Sequence, residues 1–147
     1  MAFTIPRWTR IALAHIGESE IAGAANNRWI VDCLKSVGIT GPDEIAWCSA
    51  SLNWCFEAAG KRGTGIALAR SWMKWGKAIP TPRFGCVVVL KRGKLAWQGH
   101  CGQFIDAYGG KVYVLGGNQS NRFGVSAYNL SDLLGYRWPV AGRKGRI

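Results

Sequence analysis

The sequence predicts an α+β domain, with helices first and an antiparallel sheet after them. Three observations carry this expectation. Through Trp75, apolar side chains recur at helical spacing between capping residues. Beyond Pro80 and Pro82, short β-rich runs are separated by glycine turns. The 147 residues are 48% apolar and include eight Trp, which suits one domain with a real core and argues against disorder.

Taken in order, Arg7–Ile16 reads as a first helix with Trp8, Ile11, Ala12 and His15 on one face. Gly17–Ala25 interrupts it and carries Glu18 and Glu20. Asn26 or Asn27 can cap a second helix that runs to about Val37 and stops at Gly38. The chain is organised around Asp43–Gly60, where a third helix of about 12 residues starts near Cys48 and ends at a C-cap glycine, Gly60. Thr64–Trp75 reads as a fourth helix, with Leu68, Trp72 and Trp75 on one face and a basic stripe of Arg70, Lys74 and Lys77. Pro80 and Pro82 end helical structure. Strands are expected at Cys86–Leu90, Leu95–Trp97, His100–Ile105, Lys111–Leu115 and Phe123–Tyr128. Lys91–Lys94 reads as a hairpin turn and Gly116–Asn121 as a loop. The basic residues at about 140–147 are expected to form a flexible tail.

The chemistry centres on Cys48. A cysteine in the first turn of a helix meets unpaired N–H groups and the positive end of the dipole, which favour thiolate over thiol. Most free cysteines are buried packing residues, and Cys33, Cys55 and Cys86 read that way. Five cysteines without a C-x-x-C pair make neither a disulfide nor a zinc framework. A thiolate nucleophile needs a histidine and a polar group to orient it. Only two histidines exist, and His15 lies on an apolar helix face. His100, between small residues in Gln98-Gly99-His100-Cys101-Gly102, is the better base, although a half-exposed strand histidine would look the same. Cys101 follows it and by strand alternation should face the other way. Asn118 can orient the ring, but Gln119 and Asn121 are alternatives, and an asparagine after Gly-Gly is common in turns.

Other chemistries find less support. Nothing brings two of Glu18, Glu20 and Glu57 together as a glycosidase pair. Ser49 and Ser51 lack a G-x-S-x-G elbow, and the glycine pairs lack a P-loop lysine. Residues 1–57 carry four basic and six acidic side chains, whereas residues 58–147 carry fifteen basic and two acidic. That asymmetry points to a polyanionic partner, but no nucleic-acid module is recognisable and no specific nucleic acid is expected. No apolar stretch is long enough to span a membrane, and the run Ile11–Ile16 is too short for a secretory signal.

Four phrases, in this order, resemble small phage and bacterial proteins of the NlpC and CHAP superfamily, which are papain-like cysteine peptidoglycan hydrolases. They are W-C-S-A-x-x-N-W-C from Trp47, A-R-S-W-x-x-W-G at Ala69–Gly76, G-H-x-G at Gly99–Gly102 and V-L-G-G-N-Q-S-N at Val114–Asn121. Glu20–Gly23, Asn27 and Ile30 fit the same pattern upstream. The resemblance implies a papain-like fold with the nucleophile helix packed on a small antiparallel sheet. It implies Cys48 as nucleophile, His100 as base and Asn118 as the third residue, with Trp47, Gln119 and Glu20 as cleft candidates. The implied substrate is the peptide part of peptidoglycan, cut as by an amidase or endopeptidase through an acyl-enzyme. The sequence departs from the pattern at Ser51, Cys86 and Cys101, where Phe, Asp and Val are expected. No cofactor or obligatory metal is expected. A monomeric endolysin is implied, made in the host cytoplasm, released through a holin-like pore and drawn to anionic wall or outer-membrane polymers. The alternative is a non-catalytic basic binding module on the same fold.

Overall fold

The structure is a computed structural model that describes residues 4–21, 27–39, 47–119 and 121–141. Helices α1 (Arg7–Leu13), α2 (Arg28–Ser36) and α3 (Cys48–Ala58) come first, followed by a 3-10 segment at Ala69–Lys74. Six strands follow: β1 (Lys77–Ile79), β2 (Val87–Lys91), β3 (Gly99–Tyr108), β4 (Lys111–Gln119), β5 (Arg122–Asn129) and β6 (Leu133–Trp138). They form one antiparallel sheet in the order β1-β6-β2-β3-β4-β5. The α+β class expected from the sequence is the one observed.

Local chemistry sets the helix ends. Asn27 caps α2 by accepting the Ile30 N–H at 3.1 Å, and Gly38 ends the following turn at φ +78°. Gly60, at φ +80°, lets the Lys61 N–H return to the Phe56 carbonyl and closes α3. The first helix stops at Leu13, earlier than expected, and His15 lies in the turn that follows.

The fourth helix is not formed as expected. Residues 61–68 are extended or bent because α3 captures their backbone. Buried Asn53 accepts the Gly65 N–H at 2.7 Å and donates to the Thr64 hydroxyl at 3.2 Å, while Ser49 Oγ donates to the Ile66 carbonyl at 2.7 Å. Gly65 sits at φ +70°, which a helix does not allow. Only the short 3-10 segment survives, anchored by fully buried Trp72, whose indole donates to Ser49 Oγ at 2.9 Å. The basic stripe dissolves with the helix: Arg70 Nε is spent on the Gln98 carbonyl at 2.6 Å, and Lys77 belongs to β1.

The strands also differ in detail. Leu95–Trp97 is not a strand but part of the exposed loop between β2 and β3, so the turn is longer than Lys91–Lys94. The expected loop from Gly116 is instead the end of β4, which stays paired to β5 through a register shift between Gly116 and Gln119. Strands β1 and β6 were not expected. Gly135 and Arg137 hide β6 in the sequence, yet it lies between β1 and β2, with Tyr136 buried and Arg137 Nε bonded to the Trp75 carbonyl at 2.7 Å. The tail expected to be flexible falls mostly at 142–147, outside the described residues.

Helix α3 packs on β3 and β4, with α1 and α2 against its other sides. One sheet face buries Val87, Val89 and Cys101 against Cys48, Leu52, Phe56, Trp72 and Trp8. The other buries Cys86, Val88, Leu90, Val112 and Val114 under Phe104 and Tyr136. Fully burying one such side chain stabilises the fold by about 1.5–3 kcal/mol. That packing fixes the start of α3 over the start of β3.

Candidate active site

Trp47 and its partners set the start of α3. Its indole N–H donates to Glu20 Oε2 at 2.9 Å, and its ring packs edge-on to Trp29 and stacked on Phe123. Gly117 of β4 lies directly beneath. A methyl group there would collide with the Trp47 ring and the Ser51 hydroxyl, so the close approach requires glycine. Trp47 is therefore fully buried, in the core rather than on a cleft wall as expected, and Glu20 serves as its anchor.

Cys48 is the first residue of α3 and keeps 7% of its surface exposed. Its thiol is held well below the ordinary thiol range. The largest cause is a hydrogen bond from Cys101, opposed by burial and reinforced by the contact with His100 and that residue's charge. The other cysteines move the opposite way. Burial pushes Cys55 up to about 12 and Cys86 up to about 11, and it also raises Cys33. Cys101 is raised, first by burial and then by its contact with Cys48.

Cys101 faces away from His100, as alternation predicted: it lies on the sheet face covered by α3, against Cys48, whereas His100 pairs with Leu90 of the other face. What the sequence missed is its part in the site, since Cys101 is the foremost influence on the Cys48 thiol and His100 also acts on it. Gly102 completes the phrase for a packing reason: a side chain there would strike Val114 and the Leu115 carbonyl.

His100 is buried, and its ring nitrogens differ in their engagements. Nε2 lies 2.9 Å from Gln119 Oε1 and 3.1 Å from the Tyr128 hydroxyl. Nδ1 has no hydrogen-bond partner. The Gln119 amide nitrogen donates to the Gly124 carbonyl at 2.7 Å and the Val114 carbonyl at 3.2 Å. Those two bonds fix the amide orientation, so its oxygen must face the histidine. This network assigns the proton to Nε2 and leaves the Nδ1 lone pair to take a proton from Cys48.

Among the described side chains of the three candidate orienting residues, Gln119 is the one whose amide meets His100. Asn121 is exposed at φ +62°, and its carbonyl accepts the Glu20 N–H. The Asn118 backbone lies in β4, and its side chain is outside the described set. His15 stacks on Trp29 at 4.2 Å and contacts Glu18 at 3.4 Å, away from this network. Cys101 and Tyr128 are the two contributors that sequence reasoning missed. Neither carries a motif signal, because each reaches the site only through the packing and pairing of distant segments.

No protein-family profile matches the chain, and no curated protein does. Among solved structures, it is similar to the crystal structure of a Staphylococcus aureus Mu50 protein described as similar to lipoprotein, NLP/P60 family. The TM-score is 0.53 at 15% identity, over 97% of this chain and 44% of that one. The chain thus spans less than half the length of that neighbour. At this identity the likeness concerns the fold, which is papain-like α+β with helix α3 packed on an antiparallel sheet. Among the described residues, no helix is long and apolar enough to cross a membrane.

Proposed function

We propose that the protein is a cysteine hydrolase that cleaves an amide bond in the peptide part of peptidoglycan, of the phage-endolysin type. The observation that carries this reading is geometric: Cys48 opens α3 and packs against β3, whose His100 has its Nε2 bound by the Gln119 amide oxygen. In this reading the Cys48 thiolate attacks the scissile carbonyl carbon, and His100 holds the thiol proton on Nδ1. The Cys48 backbone N–H, at the helix N-terminus, is a donor for the developing oxyanion. His100 then gives its proton to the leaving amine. Water, deprotonated by the same nitrogen, cleaves the thioester and frees the acid. Gln119 is the third residue, because its oxygen bonds the Nε2–H that must stay in place throughout.

The peptidoglycan assignment is supported by the four-phrase resemblance and the papain-like fold. The surplus of basic charge supports attraction to anionic wall or outer-membrane polymers. A holin-like pore would then give access to the wall.

The decisive test is digestion of purified sacculi by the wild type and by Cys48→Ala, with the soluble fragments read by mass spectrometry. Fragments from the wild type alone are expected, and their masses will distinguish an amidase from an endopeptidase. Gln119→Ala should lose about a hundredfold or more in rate, as for loss of acid–base support, while Asn118→Ala loses less. If wild type and Cys48→Ala both bind sacculi and neither releases fragments, the protein is a basic binding module.

A further inference from the structure

We propose that Tyr128 is a positioning residue of this site, its phenol oxygen sharing the His100 Nε2–H with Gln119 and stabilising the imidazolium formed during the reaction. The inference rests on the roles of Cys48 and His100 proposed above.

The polarity of the network carries the argument. The amide nitrogen of Gln119 is committed to two backbone carbonyls, so its oxygen faces His100 and Nε2 is a donor. The Tyr128 oxygen, 3.1 Å from that nitrogen, can therefore only accept from it. A single N–H is shared between two oxygens carried by different strands. Gln119 stands beyond the register shift of β4, whereas Tyr128 stands in regular pairing with Val112 on β5. Its ring also lies against the imidazole, with centroids 4.9 Å apart and planes tilted by 32°. Two acceptors and one ring face thus fix the imidazole about both its tilt and its rotation.

The charge of the group matters as well. Burial pushes the Tyr128 hydroxyl up to about 12, so it remains neutral across the working range and acts as a dipole. The titratable groups in this network are Cys48 on α3, Cys101 on β3 itself and Tyr128 on β5, with Arg92 of the β2–β3 loop acting on Tyr128. Loss of the phenol oxygen removes an acceptor that favours imidazolium over neutral imidazole. The alkaline limit of the thiolate–imidazolium pair should then move to lower pH, while the acid limit, which has imidazolium on both sides, stays.

The experiment compares wild type with Tyr128→Phe, which keeps the ring. Alkylation of Cys48 by iodoacetamide is followed against pH by peptide mapping, and hydrolysis of a soluble muropeptide is followed in parallel. The expected result is an alkaline step moved to lower pH in both profiles, and kcat lowered about tenfold with little change in KM. The alkylation readout does not require hydrolysis, so it tests Tyr128 even if the substrate assignment fails. Unchanged limbs with unchanged kcat would overturn the proposal, as would a lower amplitude with unmoved limbs. Nitrogen NMR of His100 in the wild type gives a test free of any variant. An Nε2-protonated ring is expected, and an Nδ1-protonated ring would overturn the proposal.

Discussion

Five cysteines are free and buried in this chain, and among them the surroundings of Cys48 alone hold the thiol below its ordinary range. Burial alone raises a thiol, as it does at Cys55, so the difference at Cys48 comes from its neighbours. The foremost is the Cys101 thiol, a weak donor placed where it stabilises a thiolate without competing as a base. Cys101→Val removes that donor with little change of volume. The midpoint for Cys48 alkylation should move to higher pH, and reactivity near neutral pH should fall. Cys55 and Cys86 should stay unreactive in both proteins. An unmoved midpoint would show that His100 and the helix terminus suffice. At this scale the sequence brings Cys48 and His100 forward as candidates, because a helix-start cysteine and a histidine after a glycine are local patterns. It could not announce Cys101 or Tyr128, whose roles depend on which strand face meets α3 and which strand lies beside His100. Alternation correctly separates neighbouring residues on a strand, but it does not say which face carries the site.

At the scale of elements, the site depends on glycines whose necessity is steric rather than catalytic. Gly117 lets β4 pass under the Trp47 ring, and Trp47 in turn sets where α3 begins. Gly117→Ala places a methyl group inside the van der Waals envelope of the ring and of Ser51. Overpacking of this kind costs about 1–3 kcal/mol, so the variant should unfold at lower urea with an unchanged m-value. Its Cys48 reactivity should also fall, because displacement of Trp47 moves the helix start. Full stability and reactivity would mean that the β4 end yields freely. The elements most legible in the sequence were α2 and α3, whose caps and stops lie within their own segments. The fourth helix was misread because its apolar spacing is genuine while its backbone is claimed by Asn53 and Ser49 of α3. Likewise β6 is a weak strand by composition and exists because β1 and β2 pair with both its edges.

Over the whole molecule, charge is the property that sequence conveys most faithfully, since it survives any misassignment of elements. The helical stripe is gone, yet its excess cations remain at the surface. Lys74, Lys77, Arg83, Lys111 and Arg122 are exposed, as are Lys91, Arg92 and Lys94 around the β2–β3 loop that leads into His100. Among the described residues, the one pair within ion-pair distance is His15 with Glu18, so no described carboxylate pairs with these cations. A surface of this kind should raise the local concentration of the protein on a polyanion without altering the reactivity of Cys48. Screening separates the two effects, because the Debye length falls from about 10 Å at 0.1 M salt to about 3 Å at 1 M. Binding to sacculi that retain anionic polymers should therefore weaken steeply with added salt, while turnover of a small soluble muropeptide changes little. Arg92→Gln combined with Lys94→Gln should reproduce part of the salt effect at low ionic strength. Equal salt sensitivity of both substrates would place the dependence in the active site, and the basic surface would then have no part in holding the protein to the wall.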